Sequence, residues 1–212
     1  MNRKSPAPVS PDLPAKERIL RAAEQLFYSQ GVRATGVDLV IATAGVTKVT
    51  FYRHFPSKDV LITAYLERRH DYWIGWFKET LARATKSQSA ADRKARPLAP
   101  VLIVAKEWFA SPTFRGCAFA NAIAEVGATV PSIAGIASRH KNEVRDAITA
   151  LLPPGETAQG IAWAATLALD GAIVNAQSGA ASAKASLDGL HDLLEALVVR
   201  YRNATAETPT RR

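Results

Sequence analysis

Apolar residues recur at three- and four-residue intervals along most of the chain, and no stretch alternates with the two-residue period of a half-buried strand. Ile19, Ala22, Ala23, Leu26 and Phe27 form one such stripe and predict a helix over roughly residues 15–29. Gly31 follows it, where a left-handed C-terminal residue would stop the helix. Val37, Val40, Ile41 and Ala44 predict a short helix over 37–44, with Thr35 and Asp38 spaced as a weak capping box. Gly45 breaks the pattern, and a further short helix is expected from Thr47 to His54. Phe55-Pro56-Ser57-Lys58 reads as a stop and restart, with Ser57 placed to cap a long helix from Lys58 to about Arg83.

Residues 84–97 are polar and basic and read as a loop or frayed end. Helices are then expected over 98–110, 117–127, 131–151, 157–178 and 183–203. Ser111-Pro112, Pro131, Pro153-Pro154-Gly155 and Ser178-Gly179 mark their boundaries. The sequence contains no internal repeat and no glycine-rich phosphate loop. The expectation is an all-α protein of about nine helices: a flexible basic arm over 1–14, a three-helix domain over 15–60, a larger helical domain over 61–204 and a disordered tail over 205–212.

Charge narrows the choice of partner. The 212 residues carry 27 Lys and Arg against 19 Asp and Glu, a net charge of +8. The first sixty residues hold nine basic and five acidic side chains, so less than a third of the chain supplies half the surplus. Such a balance favours a polyanion, nucleic acid before anionic membrane. A hydrophobic content of 48% and a charged content of 22% are ordinary for a globular chain.

The segment from Thr35 to Leu61, TGVDLVIATAGVTKVTFYRHFPSKDVL, gives that surplus a location. Ala44-Gly45-Val46 joins its two short helices, and glycine at the joint allows a steep meeting of helices. Val46, Phe51 and Phe55 can pack the second helix against the first, leaving Thr47, Lys48, Thr50 and Arg53 outward. A short helix with a basic, hydroxyl-rich face suits the major groove, where it can read base edges. Tyr52, His54 and Lys58 flank it and suit phosphate oxygens. Any helical hairpin with a solvated polar face would show the same pattern.

The residues of this segment resemble the N-terminal domain of the tetracycline-repressor (TetR) family. The match rests on Ile41-Ala42, Ala44-Gly45-Val46, Tyr52, His54-Phe55, Ser57-Lys58 and Leu61, with Thr47 in a position usually held by Ser. Val49 stands where the family commonly has Gly, and Gly36 replaces a frequent Thr. The likeness covers about residues 15–62. It implies that Thr35, Tyr52, His54 and Lys58 contact the phosphate backbone, with Lys16 a further candidate. It also implies that Thr47, Lys48 and Thr50 face base edges, with Arg53 near the groove. The function implied is sequence-specific transcription regulation: a ligand-responsive repressor that binds a palindromic operator on double-stranded DNA as a dimer.

Two features of the larger domain fit that expectation. The last two predicted helices carry apolar rows, Ile161/Ala164/Ala165/Ala168/Leu169/Ala172 and Leu187/Leu190/Leu194/Leu197/Val198/Tyr201, and Gly171 would permit close helix approach. In the resembling family such a pair forms a homodimer interface; the alternative is an internal core. Aromatic residues concentrate at Tyr65, Tyr72, Trp73, Trp76, Phe77, Trp108, Phe109, Phe114 and Phe119. Trp73, Phe77, Trp108 and Phe119, with Asn121 or Glu125 as polar groups, are candidates to line a pocket for a small-molecule effector. The same rings could simply fill a core.

Other classes find little support. His54, His70, His140 and His191 are scattered without zinc-ligand spacing, no nucleophile motif appears, and no cofactor or catalytic residue is expected. Cys117 is the only cysteine and reads as a small buried hydrophobe in a reducing compartment. The N-terminus lacks a signal-peptide core, and the longest apolar run, Ile161 to Val174, is interrupted by Asp170 and too short to span a bilayer. A cytoplasmic protein without membrane contact is expected.

Overall fold

The predicted stripes become the buried faces of helices in the structure, a computed structural model that describes residues 9–206. Among these residues there are ten helices and no strand: α1 (Ala15–Gln30), α2 (Val37–Ala44), α3 (Lys48–His54), α4 (Lys58–Ser87), α5 (Ala90–Ala95), α6 (Ala99–Phe109), α7 (Ala118–Val126), α8 (Ser132–Thr149), α9 (Glu156–Ala176) and α10 (Ala180–Ala206). Residues 1–8 of the arm expected over 1–14, and residues 207–212 of the tail expected over 205–212, lie outside the described residues; Thr205 and Ala206, expected in the tail, belong to α10.

The tenth helix is α5, which occupies part of the segment expected to be a loop. It buries no residue, so hydrophobic periodicity carries no trace of it. Local chemistry holds it instead. Ser89 accepts a hydrogen bond from the Asp92 backbone N–H at 3.0 Å and donates to the Asp92 carboxylate at 2.6 Å. The Arg202 guanidinium of α10 donates to the carbonyls of Lys94 and Ala95 at the other end. The preceding helix α4 also runs four residues longer than expected, to Ser87.

The chain forms two compact units. One comprises the described residues up to Tyr72 together with Ala118–Ser138; the other comprises Trp73–Cys117 and the described residues from Arg139 onward. In the first unit α1 packs on both α2 and α3, burying Ile19, Ala22, Ala23, Leu26, Phe27, Val40, Ala44, Phe51 and Phe55. Tyr65 of α4 adds an edge-on contact to Phe27, with ring centroids 5.4 Å apart. Ions fix α1 to α4. Arg68 donates to Glu17 at 2.7 Å and lies 3.4 Å from Glu24, and the Arg69 guanidinium sits 4.1 Å above the Tyr28 ring.

In the second unit α6 packs on α9 and α10, and α9 on α10 along most of its length. Ile161, Ala165, Leu169 and Ala172 on α9 are buried within the chain, as are Leu190, Leu194 and Val198 on α10. Four of the six residues of the first row and three of the six of the second are thus buried within the chain. Gly171 has open space where a Cβ would stand, so it is not a point of close approach between these two helices. Other apolar residues stay exposed: Trp163, Leu167 and Val174 along one side of α9, and Leu193 and Val199 on either side of the buried stripe of α10.

Candidate nucleic-acid interface

Backbone geometry at two turns sets the pose of α3. Gly45 adopts φ 61°, ψ 40°, the left-handed conformation expected of it, and its N–H returns to the Ala42 and Ile41 carbonyls. The Arg18 side chain donates to the Gly45 carbonyl at 3.2 Å, so α1 holds the α2–α3 joint from below. Thr47 then caps α3, its hydroxyl accepting from the Thr50 N–H at 3.2 Å and lying 2.9 Å from the Thr50 hydroxyl. At the far end Ser57 caps α4 by accepting from the Val60 N–H at 3.2 Å, as its position implied.

With Phe51 fully buried and Phe55 nearly so, the opposite side of α3 faces outward. Thr47, Lys48, Tyr52 and Arg53 are exposed, and Thr50 and His54 are half-buried. Lys48 Nζ lies 3.7 Å from an Asp38 carboxylate oxygen, with both side chains largely in solvent, a pairing too weak to immobilise either. Val49 is 71% exposed in the middle of this polar face. Sequence reasoning noted it only as a departure from glycine. An outward methyl-bearing side chain on such a helix can meet a thymine methyl, and the signal was its place between Lys48 and Thr50.

Thr35 does not join this surface. Its side chain is fully buried, and its hydroxyl donates to the Gly31 carbonyl at 2.7 Å, out of reach of a phosphate. It does not cap α2 either: the N-cap is Gly36, with no side-chain bond. Thr35 instead ties the α1–α2 loop together. Gly31, which opens that loop, has φ 92° and ψ 151°, a positive φ but not the left-handed helical conformation expected from its position.

The loop has a second support from far along the chain. Glu125 of α7 accepts a hydrogen bond from the Arg33 backbone N–H at 2.7 Å, and its carboxylate oxygens lie 3.0 Å from where a Gly31 Cβ would stand. Lys58 Nζ donates to the Arg33 carbonyl at 3.4 Å. Burial pushes the Lys58 ammonium below its usual pKa, opposed by the charges of Asp59 and Glu125. Lys58 therefore sits at the edge of the α3 surface as a partly desolvated, anchored cation.

The candidate pocket residues separate between the two units. Trp73, Phe77 and Trp108 belong to the second, where Trp73 stacks on Phe77 at 4.9 Å and meets Trp108 at 5.0 Å and His140 at 4.9 Å. Trp73 is 6% exposed, and its indole Nε1 is buried without a hydrogen-bond acceptor among the described residues. Phe119 and Asn121 belong to the first unit, Phe119 lying edge-on to His70 at 6.4 Å. Cys117 is a buried free thiol. Among the described residues no cluster of three or more His, Cys, Asp or Glu could hold a metal ion, and no helix is long and apolar enough to cross a membrane.

This geometry defines a helix-turn-helix protein: three short helices locked around Phe51 and Phe55, with the polar side of the third left open. Residues 19–65 match the family described as bacterial regulatory proteins, tetR family. Over 79 residues the chain is 35% identical to the transcriptional activator FasR of Mycolicibacterium smegmatis, covering 36% of each chain. It is 35% identical over 77 residues to the regulator TtgR of Pseudomonas putida, covering 36% of this chain and 34% of that one. The matched stretch thus spans about a third of the length of these relatives. A TetR-family transcriptional regulator from Streptomyces coelicolor superposes with a TM-score of 0.68 at 29% identity, covering 87% of this chain and 96% of that one. Reduced Escherichia coli NemR shares the fold at a TM-score of 0.66 and 20% identity, covering 87% and 95%. Residues 19–65 thus carry the N-terminal domain of the TetR family, and the described chain shares the fold of a regulator of that family.

Proposed function

We propose that this protein is a sequence-specific DNA-binding transcriptional regulator, a ligand-responsive repressor that sits on a palindromic operator as a homodimer. The observation that carries the reading is the exposed polar side of α3, mounted on a rigid helix-turn-helix. In this reading Thr47, Lys48, Val49 and Thr50 read base edges, Arg53 lies near the groove, and Tyr52, His54 and Lys58 grip phosphates. Thr35 supports the loop behind them and makes no side-chain contact with DNA. Relatives of this N-terminal domain include a named activator and a named repressor, KstR2 of Mycolicibacterium smegmatis, which is 32% identical over 81 residues. Repression is the sign a bare operator clamp gives, because a protein that occludes a promoter needs no further contact to silence it.

A second copy of the chain is the partner proposed for the exposed side of α9 and the neighbouring Leu193 of α10. Leu167 and Val174 are 55% and 59% exposed and Leu193 is 53%, an apolar surface that a two-fold mate would cover. The open space at Gly171 in the middle of that side of α9 leaves room for a partner helix. The aromatic cluster at Trp73, Phe77 and Trp108 is the proposed effector site. The unmet Trp73 N–H supports it, since a buried donor without an acceptor costs about 1–3 kcal/mol that a ligand oxygen would recover.

Nuclease footprinting of the DNA upstream of its own gene tests this reading. Two protected half-sites, with centres separated by a whole number of helical turns, are expected. Uniform protection without a preferred site would overturn it.

A further inference from the structure

A groove runs beside the C-terminal half of α4, between that helix and α8, and encloses about 750 Å³. It contains none of the rings of the aromatic cluster. Its apolar lining is Leu81, Ala82, Ala147, Ala150 and Leu151. From Lys78, near one end, to Lys86, in the last turn of α4, the helix rises roughly 12 Å. That length and volume suit a single small molecule lying along the helices.

The charged residues around the groove are unevenly matched. Lys78 is satisfied by Glu143 at 3.0 Å, and Asp146 is satisfied by Arg145 at 2.7 Å. Lys86 and Arg93 also line the groove, and neither has a carboxylate within ion-pair distance among the described residues. Only Gln88 and Ser89 separate α4 from α5, so the two cations share one end of the groove. Arg93 does not dangle there. Its helix is tethered to α10 by Arg202, which donates to the Lys94 and Ala95 carbonyls, and by Arg96 at 4.0 Å from Glu195. Two unmatched positive charges at one end of an apolar trough define the ligand that would complement them.

We infer that this groove binds a single-chain amphipathic anion, with an alkyl body along α4 and α8 and a carboxylate or sulfate head at Lys86 and Arg93. Burial of the alkyl chain supplies the attraction, and the two cations set its direction. This assignment goes beyond the DNA-binding reading and holds whether or not α3 enters a groove of DNA.

Isothermal titration of the full chain with decanoate tests it, with decanol and decylammonium as neutral and cationic probes of the same length. Decanoate should bind about tenfold more tightly than decanol, and decylammonium weakest of all. The double variant K86E/R93E, both positions being at the surface, should weaken decanoate by about tenfold or more and remove its preference over the alcohol. Ala150→Phe, at an exposed wall position, should fill the trough and abolish binding of decanoate and decanol alike. Equal binding of the three probes would overturn the inference, as would decanoate affinity unchanged in both variants or no measurable heat for the wild-type chain.

Discussion

Two constraints fall on Gly31. Its φ of 92° lies where L side chains are strained, and a Cβ there would meet the Glu125 carboxylate at 3.0 Å. Gly31→Ala is predicted to destabilise the fold by about 1–3 kcal/mol in urea unfolding. Glu125→Ala should cost about 1 kcal/mol by leaving the Arg33 N–H without its acceptor. In the double variant the steric part of the alanine's cost disappears while the φ part remains, so the two losses should sum to less than expected. Strict additivity would show that the carboxylate does not press on the loop. At the DNA-facing surface the residue-scale prediction separates two roles. Lys48→Ala should lose about 1–3 kcal/mol on the operator and relax base choice, because an exposed lysine on α3 is placed to read. Lys58→Ala should weaken all duplexes alike and lower the slope of binding against salt by about one. Titrations at two salt concentrations on specific and scrambled duplexes distinguish these outcomes; identical behaviour of both variants would remove the distinction.

Among the elements, the junction of α1 and α4 is electrostatic as well as apolar. Hydrogen bonds from Arg68 and then Arg21 hold the Glu17 carboxyl down to a pKa of about 2, from an ordinary value of 4.5. A depressed carboxylate contributes stability that is complete above its unfolded pKa and is lost as pH falls through the folded value. The contribution should therefore fade between about pH 4.5 and pH 2. Glu17→Gln is predicted to lower stability by about 1 kcal/mol at pH 7, allowing for solvent screening of a partly exposed pair. The gap to wild type should narrow as pH falls below 4.5 and be less than half its size at pH 2, where the Glu17 carboxyl is about half protonated, as measured by unfolding at each pH. A gap undiminished at pH 2 would mean that the effect is not ionic.

How much of this was legible in the sequence depends on what holds each element. The stripe Ile19 to Phe27 and the joint at Gly45 were readable because burial and a left-handed turn leave periodic and compositional marks. α5 was not readable, because it buries nothing and rests on a cap and a distant arginine. Thr35 was misplaced for a related reason: family spacing located the residue but not the direction of its hydroxyl. The apolar rows of α9 and α10 were visible, yet a sequence does not say which of two rows faces its neighbour within the chain. Glu125 was visible only as a polar residue near aromatics, since its partner Arg33 lies 92 positions away.

For the whole molecule, oligomeric state is the property on which operator symmetry depends. Leu167→Glu places a charge in the exposed α9 row without touching the internal seam, so the monomer should fold normally. Light scattering after size exclusion at micromolar concentration should report a dimer for wild type and a monomer for the variant. A dimer that survives the substitution would place the interface elsewhere. Loss of the dimer should also abolish high-affinity operator binding, because a single α3 engages only one half-site.

The central claim is that the outward side of α3 reads DNA sequence. Anisotropy titration of the full-length protein with its footprinted upstream duplex and with a scrambled duplex of equal length tests it most directly. A preference of about 10³-fold or more for the first is predicted, reduced in Lys48→Ala. Equal affinity for the two duplexes, falling in parallel as salt rises, would contradict it.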